Sequence, residues 1–291
     1  MSPQPDRAVL VTGASTGIGR ASARYLAQRG WYVYAGVRNP AAAGELAQDL
    51  GDTGEPVTVD VTDAAAIEAA VKKIGSERKL HAVVNNAGAA VAGPLESLPL
   101  DDFRHQIEVN VTGQLAVAQA ALPALRENRG RLLFIGSIGG RIALPLLGAY
   151  HASKFALVGL TDSLRLELAH FGVDVVLLEP GNVATEMGQR ASRSLRDRMD
   201  RIPGEAAGRY GGVLEAARQT EESMAKAGLS PDAVAKAVYT ALAARRPKAR
   251  YLVGPEAHAV AVISHLPAGL RTRIAGSRMP VGRWSPGTGS A

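Results

Sequence analysis

Short apolar runs rich in Val, Leu and Ile recur along this chain at 8–12, 31–36, 57–60, 81–85, 131–136, 173–179 and 250–253. Longer Ala- and Leu-rich stretches of helical period separate them, at 18–29, 40–50, 63–74, 101–126, 152–171 and 231–246. Unbroken apolar character marks strands covered on both faces, and a helix between strands is how parallel strands are joined. Thr62-Asp63 before an Ala-rich run, and Ser230-Pro231-Asp232 with proline at the first helical position, carry helix-opening chemistry. The pattern predicts an α/β fold in which a doubly wound, seven-stranded parallel sheet carries helices on both faces, with residues 1–291 as one domain. Residues 8–185 form its core. From 186 to 229 the alternation stops, and a connection this long in a compact domain is expected to be a lid over a site. Residues 230–291 add the last helix, the last strand and a tail.

A hydrophobic fraction of 46% lets the chain bury a core and excludes disorder. The absence of cysteine excludes disulfides, thiolate metal sites and cysteine nucleophiles. The leading MSPQPDR is polar, AVLVT is too short for a signal-peptide core, and no run reaches about 18 apolar residues. A cytoplasmic protein without stable membrane insertion is expected. The net charge of +6 raises nucleic acid as a partner, but the charge is unevenly placed. Residues 1–188 carry 16 Lys and Arg against 19 Asp and Glu, whereas 189–291 carry 17 against 8. Few aromatics and no recognisable binding motif argue against nucleic acid.

The first strand runs into Thr12-Gly13-Ala14-Ser15-Thr16-Gly17-Ile18-Gly19, which opens a helix. Glycines let backbone approach a pyrophosphate, and the helix start offers free N–H groups and a positive dipole end. Gly13, Ser15, Thr16, Gly17, Ile18 and Gly19 are therefore candidate cofactor contacts in a Rossmann-type site, with a tight structural turn as the alternative. The spacing is G-x-x-x-G-x-G rather than G-x-G-x-x-G. About 20 residues on, where a carboxylate would bind the ribose 2′-hydroxyl of NAD, the sequence has Ala35-Gly36-Val37-Arg38-Asn39. Arg38 suits a 2′-phosphate, which favours NADP(H) over NAD(H); the alternative is a solvated loop cation.

Asn85-Asn86-Ala87-Gly88 closes the fourth strand, Ser137 follows the fifth, and Tyr150-His151-Ala152-Ser153-Lys154 begins a long helix. Tyr150 and Lys154 are four apart and share a helix face. A phenol of pKa about 10 is too weak an acid near neutrality, and an adjacent ammonium lowers it by favouring the phenolate. With five motifs in order over residues 8–185, the chain resembles the short-chain dehydrogenase/reductase family. That resemblance implies hydride transfer between a nicotinamide and a carbonyl or secondary alcohol. Tyr150 is implied as acid/base, Lys154 as its tuner and as holder of the ribose hydroxyls, and Ser137 as orienter of the substrate oxygen. Asn110 matches the helix asparagine that positions a relay water. Asp60 with Val61, the Asn86-Ala87-Gly88 segment, and Pro180, Gly181, Val183 and Thr185 match further cofactor contacts; Asp60 has a helix cap as its alternative.

Ser163–Leu168, Leu178–Gly181 and Pro247–Gly254 resemble the branch that contains retinol and 17β-hydroxysteroid dehydrogenases. A lipophilic substrate of steroid, retinoid or polyketide type is implied, bound by the segments 139–147, 89–95 and 187–229. Ser137, Gly139, Leu144, Tyr150 and Met187 are the candidate substrate residues. No histidine cluster has ligand spacing, so no metal is expected, and His151 should face away from Tyr150. A homodimer or homotetramer paired through 101–126 and 152–171 is implied. A catalytically silent nucleotide sensor on the same fold is the alternative, against which stands the complete set of Asn110, Ser137, Tyr150 and Lys154. Arg190, Arg193, Arg196, Arg198 and Arg201 either meet an anionic ligand or form a solvated face.

Overall fold

The computed structural model describes residues 7–199, 210, 212, 215 and 228–277. Most of the expected lid, Arg201 and the end of the tail lie outside the described residues.

Seven strands form one parallel sheet: β1 (Ala8–Val11), β2 (Tyr32–Val37), β3 (Gly54–Thr58), β4 (Leu80–Asn85), β5 (Arg131–Ile135), β6 (Asp174–Pro180) and β7 (Arg250–Val253). Their order is β3-β2-β1-β4-β5-β6-β7. The chain winds outward from β1 to β3 and then returns to lay β4 on the other side of β1. The connections leaving β1 and β4 therefore diverge, which opens a crevice at the carboxyl ends of the strands.

Side chains alternate across the sheet and give two cores. Leu10, Val83, Leu132, Phe134 and Leu177 pack with Ile67 and Ile74 of α3 (Ala64–Glu77), Val117 and Ala121 of α5 (Gly113–Glu127), and Leu157 and Leu164 of α6 (Gly148–Leu168). On the other face Val9, Val11, Val33, Val84, Leu133 and Val176 meet Leu26 of α1 (Gly17–Ala27), Leu46 of α2 (Ala43–Leu50), and Val234 and Val238 of α8 (Pro231–Ala243). Each such fully buried Leu or Val contributes about 1.5–3 kcal/mol. The double winding thus follows from strands that are apolar on both sides.

Three expectations shift. The third strand begins at Gly54 rather than 57, because β3 is an edge strand whose Glu55 and Pro56 pair in register with Tyr34 and Ala35 of β2. An edge tolerates proline, and its polar side chains reach solvent. The helix expected over 101–126 is two, α4 (Leu100–Ile107) and α5, joined by a π-turn over Glu108–Thr112. The segment after 185 begins as a helix, α7 (Glu186–Met199), and the chain after β7 adds α9 (Pro255–Ile263) and α10 (Ala268–Ser277).

The two ends of the expected lid are joined. Val183 and Leu229 form a parallel bridge, Leu229 N–H donates to Asn182 O at 2.9 Å, and Ala184 N–H donates to Leu229 O at 3.0 Å. On α7, Arg190 pairs with Glu186 one turn back at 2.7 Å, while Arg193 and Arg196 are exposed. Among the described residues no helix is long and apolar enough to cross a membrane, and no group of three or more His, Asp or Glu could hold a metal ion.

Candidate active site

The glycine turn lies at the carboxyl end of β1. Gly13 and Gly17 have φ of +63° and +55°, a region that side chains with a Cβ rarely adopt. A Cβ on Gly13 would lie 2.8 Å from Ala87 Cα, and one on Gly19 would collide with Gly13 O and Asn86 Nδ2. The Asn85-Asn86-Ala87-Gly88 segment is thus the wall on which the turn is built. Asn86 Nδ2 donates to Thr12 O at 2.9 Å and Gly13 O at 3.0 Å, while Thr12 Oγ1 accepts from the N–H groups of Asn86 and Ala87, both at 3.0 Å. No side chain caps α1 among the described residues, so its first amides are left for an anion. Replacing Gly19 by Ala should cost about 1–3 kcal/mol of stability through overpacking and weaken dinucleotide binding. Urea unfolding and cofactor fluorescence titration of the variant check both effects.

Along the same edge β2 ends at Val37, and Arg38 follows it, exposed. Asn39 is used locally, accepting the Ala41 N–H at 3.0 Å. Asp60 does not cap α3; Asp63 does, accepting from Ala65 and Ala66 at 2.9 and 3.1 Å. Asp60 Oδ1 instead accepts the N–H and hydroxyl of Thr62 at 2.9 and 2.8 Å. Burial raises its pKa, but the Thr62 bonds and the nearby Arg38 and His105 outweigh that and hold the carboxyl below its usual range. Beyond β6, Thr185 approaches the turn from the opposite side: a Cβ on Gly17 would stand 3.4 Å from Thr185 Cγ2. Gly181 N–H donates to Val253 O at 3.0 Å and Asn182 N–H to Glu256 Oε2 at 3.0 Å, which ties the Pro180–Thr185 segment to β7 and α9.

Ser137 leaves β5 and Tyr150 lies in the first turn of α6. Gly139 N–H donates to Ser137 Oγ at 2.9 Å, and the Ser137 side chain stands close enough to the Tyr150 phenol to favour its ionised form. A Cβ on Gly139 would press at 3.2 Å against Tyr150 Cε1. Lys154, buried one turn along, donates from Nζ to Ile135 O at 2.8 Å and lies 5.8 Å from the Tyr150 ring centroid. Tyr150 is half-buried, and its pKa is raised: burial pushes the phenol up and the nearby Ser137 hydroxyl only partly offsets it. Burial also lowers Lys154 to about 8. The expected depression of the phenol by Lys154 is therefore not present in this arrangement. Both groups lose solvation together, and Nζ is drawn to a backbone carbonyl.

Asn110 lies in the π-turn, fully buried. Its Oδ1 accepts the Ala89 N–H at 2.7 Å, and Nδ2 donates to Ala89 O and Ser153 Oγ, both at 3.0 Å. Its amide thereby fixes the 89–95 segment against the helix that carries Tyr150. Met187 Cε would lie 3.8 Å from a Cβ on Gly88, so α7 begins over the end of β4. Leu146 has φ of +64° and its carbonyl accepts the Gly93 N–H at 2.7 Å, which joins 139–147 to 89–95. Two side chains beside the site were given no part in it from sequence. Glu179, fully buried on β6, takes a bidentate pair from Arg141 at 2.7 and 2.6 Å and anchors the chain just past Ser137. His151, expected to face away from Tyr150, sits with its ring edge to face against the tyrosine at 5.9 Å. A buried polar residue in an otherwise apolar stretch was the available signal for both.

A family profile described as short chain dehydrogenase matches residues 7–196. The chain is 34% identical over 258 residues to the NADPH-dependent 3-dehydrocapnine reductase of Ornithobacterium rhinotracheale, covering 86% of this chain and 89% of that one. It is also 34% identical over 278 residues to human retinol dehydrogenase 5, covering 92% and 87%. Among solved structures, a short-chain dehydrogenase/reductase from Burkholderia phymatum in complex with NAD is similar at a TM-score of 0.77 and 26% identity, covering 98% of this chain and 100% of that one. A short-chain dehydrogenase from Burkholderia cenocepacia in complex with NADP gives 0.72 and 27%, covering 94% and 99%. With the glycine turn, Ser137, Tyr150 and Lys154 gathered at one edge of this sheet, the chain belongs to the short-chain dehydrogenase family, NAD(P)-dependent oxidoreductases acting on alcohol and carbonyl groups.

Proposed function

We propose that this enzyme interconverts a lipophilic ketone and its secondary alcohol with NADP(H), using Tyr150 as the acid/base. The observation that carries the reading is the convergence at the carboxyl edge of the sheet of Ser137, Tyr150 and buried Lys154, with Gly139 against both Ser137 and the Tyr150 ring and Lys154 Nζ 5.8 Å from that ring. The glycine turn and the uncapped start of α1 fit a pyrophosphate, Arg38 a 2′-phosphate, Asp60 and Val61 the adenine end, and Asn86–Gly88 with Pro180–Thr185 the nicotinamide end. When bound, the nicotinamide supplies or accepts the hydride.

The residues of the chain do the rest. Gly139 N–H occupies Ser137 Oγ as acceptor, and the hydroxyl hydrogen, which favours the Tyr150 phenolate in the free enzyme, turns to the substrate oxygen and holds its carbon in place. Tyr150, kept protonated at neutral pH by its raised pKa, gives its proton to that oxygen in reduction and takes it back in oxidation. The ammonium of Lys154 makes the resulting phenolate less costly. Asn110, its side-chain amide held by Ala89 and Ser153, fixes the π-turn whose backbone would position the relay water. Support for a lipophilic substrate comes from Ile142, Leu144 and Leu147, partly exposed on the loop past Ser137, and from Met187 over Gly88. The names of the capnine and retinol relatives point the same way. A homodimer or homotetramer is part of the reading, supported by Phe155 and Leu166 of α6, which are 45% and 80% exposed.

A panel of steroid, retinoid, aliphatic and aromatic ketones followed by loss of NADPH absorbance tests the reaction; consumption with none of them would overturn the substrate class. For the cofactor, Arg38→Ala should lower the NADPH-to-NADH ratio of kcat/KM by about ten- to a hundredfold, the worth of a lost charge-assisted bond. An unchanged ratio would remove Arg38 from the 2′-phosphate.

A further inference from the structure

The chain between Ser137 and α6 is held by one imidazole. His151 is 5% exposed, and no part of the chemistry proposed above uses it. Its Nδ1 lies 2.8 Å from Gly139 O, and Leu144 N–H donates to Nε2 at 3.0 Å. The two partners decide the proton's position. A backbone N–H can only donate, so Nε2 is an acceptor; a carbonyl can only accept, so Nδ1 carries the hydrogen. Both bonds exist together only in the neutral ring. The histidine's own N–H donates to Leu147 O at 2.8 Å, so the first residue of the loop, its middle and its end all return to one position on α6.

The held loop is under tension. Leu146 lies in the left-handed region at φ +64°, unusual for a residue with a branched side chain, and its carbonyl is spent on Gly93. A strained turn persists where surrounding bonds over-determine it, and His151 supplies two of them. Around the ring, Tyr150 stands edge to face at 5.9 Å and Lys154 lies one turn along α6. Glu179 of β6 is bidentate on Arg141, and on neighbouring α9 Glu256 accepts from Asn182 N–H while His258 Nδ1 lies 3.0 Å from Gly254 O. Lys154, with a pKa of about 8, stays charged through the acid range, and the raised Tyr150 stays neutral there. Burial also holds the His151 pKa below its usual value, so the ring is neutral at pH 7.

We infer that His151 is a positioning residue: as neutral imidazole it latches the loop 139–147 in the shape that binds substrate, and as imidazolium it releases the loop. An added proton on Nε2 turns the acceptor for Leu144 N–H into a second donor facing it, which breaks that bond. The inference rests on the reading above that this loop lines the substrate pocket.

The test has two readouts, amide hydrogen exchange at Leu144 and steady-state kinetics on whichever ketone the panel identifies. His151→Phe keeps the ring against Tyr150 and removes both bonds; His151→Gln keeps a neutral donor and acceptor and does not titrate. The phenylalanine variant should lose Leu144 protection and raise substrate KM about ten- to a hundredfold, with kcat and the KM for NADPH little changed. The glutamine variant should restore protection. In the wild type, substrate KM should rise as pH falls below the ordinary histidine range, a rise absent in His151→Gln. Leu144 protection unchanged in His151→Phe, or lost identically with acid in wild type and His151→Gln, overturns the latch. Protection lost with substrate KM unmoved leaves the latch but overturns its control of substrate binding. A panel without any substrate overturns the proposed reaction while exchange still decides the latch.

Discussion

Replacing Tyr150 by Phe lowers kcat by about 10²–10⁴-fold, the range for loss of a general acid, while NADPH still binds. The substitution removes only the phenol oxygen beside Ser137, and the ring is retained, so packing against Gly139 and His151 survives. Water is a poor substitute, because the site's donors are placed by β5 and α6 rather than by solvent. Single-turnover absorbance at 340 nm, with cofactor affinity measured separately by fluorescence, separates chemistry from binding. A variant that turns over at the wild-type rate removes Tyr150 from the reaction.

Lys154→Met trades activity for stability. The wild-type lysine falls from its usual 10.5 to about 8 because burial penalises the ammonium. Between those two values the unfolded chain holds more protons than the folded one, so this group makes stability rise with pH from about 8 to 10.5. Below pH 8 the cost of burying the charge is present in full, about 3 kcal/mol. Methionine fills the space without that cost, although Ile135 O loses its donor, a loss of about 1–3 kcal/mol. The absolute gain at pH 7 is therefore small, but the pH dependence is not. The stability of the variant relative to wild type should fall by about 2–3 kcal/mol between pH 7 and pH 10. Urea unfolding at both values reads it directly, and a difference independent of pH would show that Lys154 is not buried as an ammonium. Turnover should drop by orders of magnitude in the same variant, because the phenolate loses the buried cation beside it.

The strands were legible because sheets covered on both faces need continuous apolar runs. β3 was misplaced by three residues, since an edge strand pairs through its backbone and does not require apolar side chains. The break between α4 and α5 left no mark on hydrophobic period, because one extra residue in a π-turn shifts the pattern too little to read. α7 was hidden for another reason: it is Arg-rich, and its apolar line of Met187, Ala191, Leu195 and Met199 is only one residue wide, too thin to stand out from its polar neighbours.

The site divides in the same way. Spacing alone put Tyr150 and Lys154 on one helix face, set the glycines at the turn that opens α1 and placed Arg38 just past β2, where a carboxylate would favour NAD. Those are local relations, set by helix and turn geometry and carried in consecutive residues. What the sequence could not contain is the environment of each group. Lys154 meets a carbonyl from β5, Asn110 meets Ala89 and Ser153, Glu179 meets Arg141, and His151 closes on Gly139 and Leu144. Proton affinity depends on desolvation and on partners brought from distant elements, so the expected low phenol became a raised one. Sequence by itself nominated the groups proposed for the chemistry; the tertiary structure decided what surrounds them and which way their proton affinities move, because burial, unlike spacing, is a property of the packed whole.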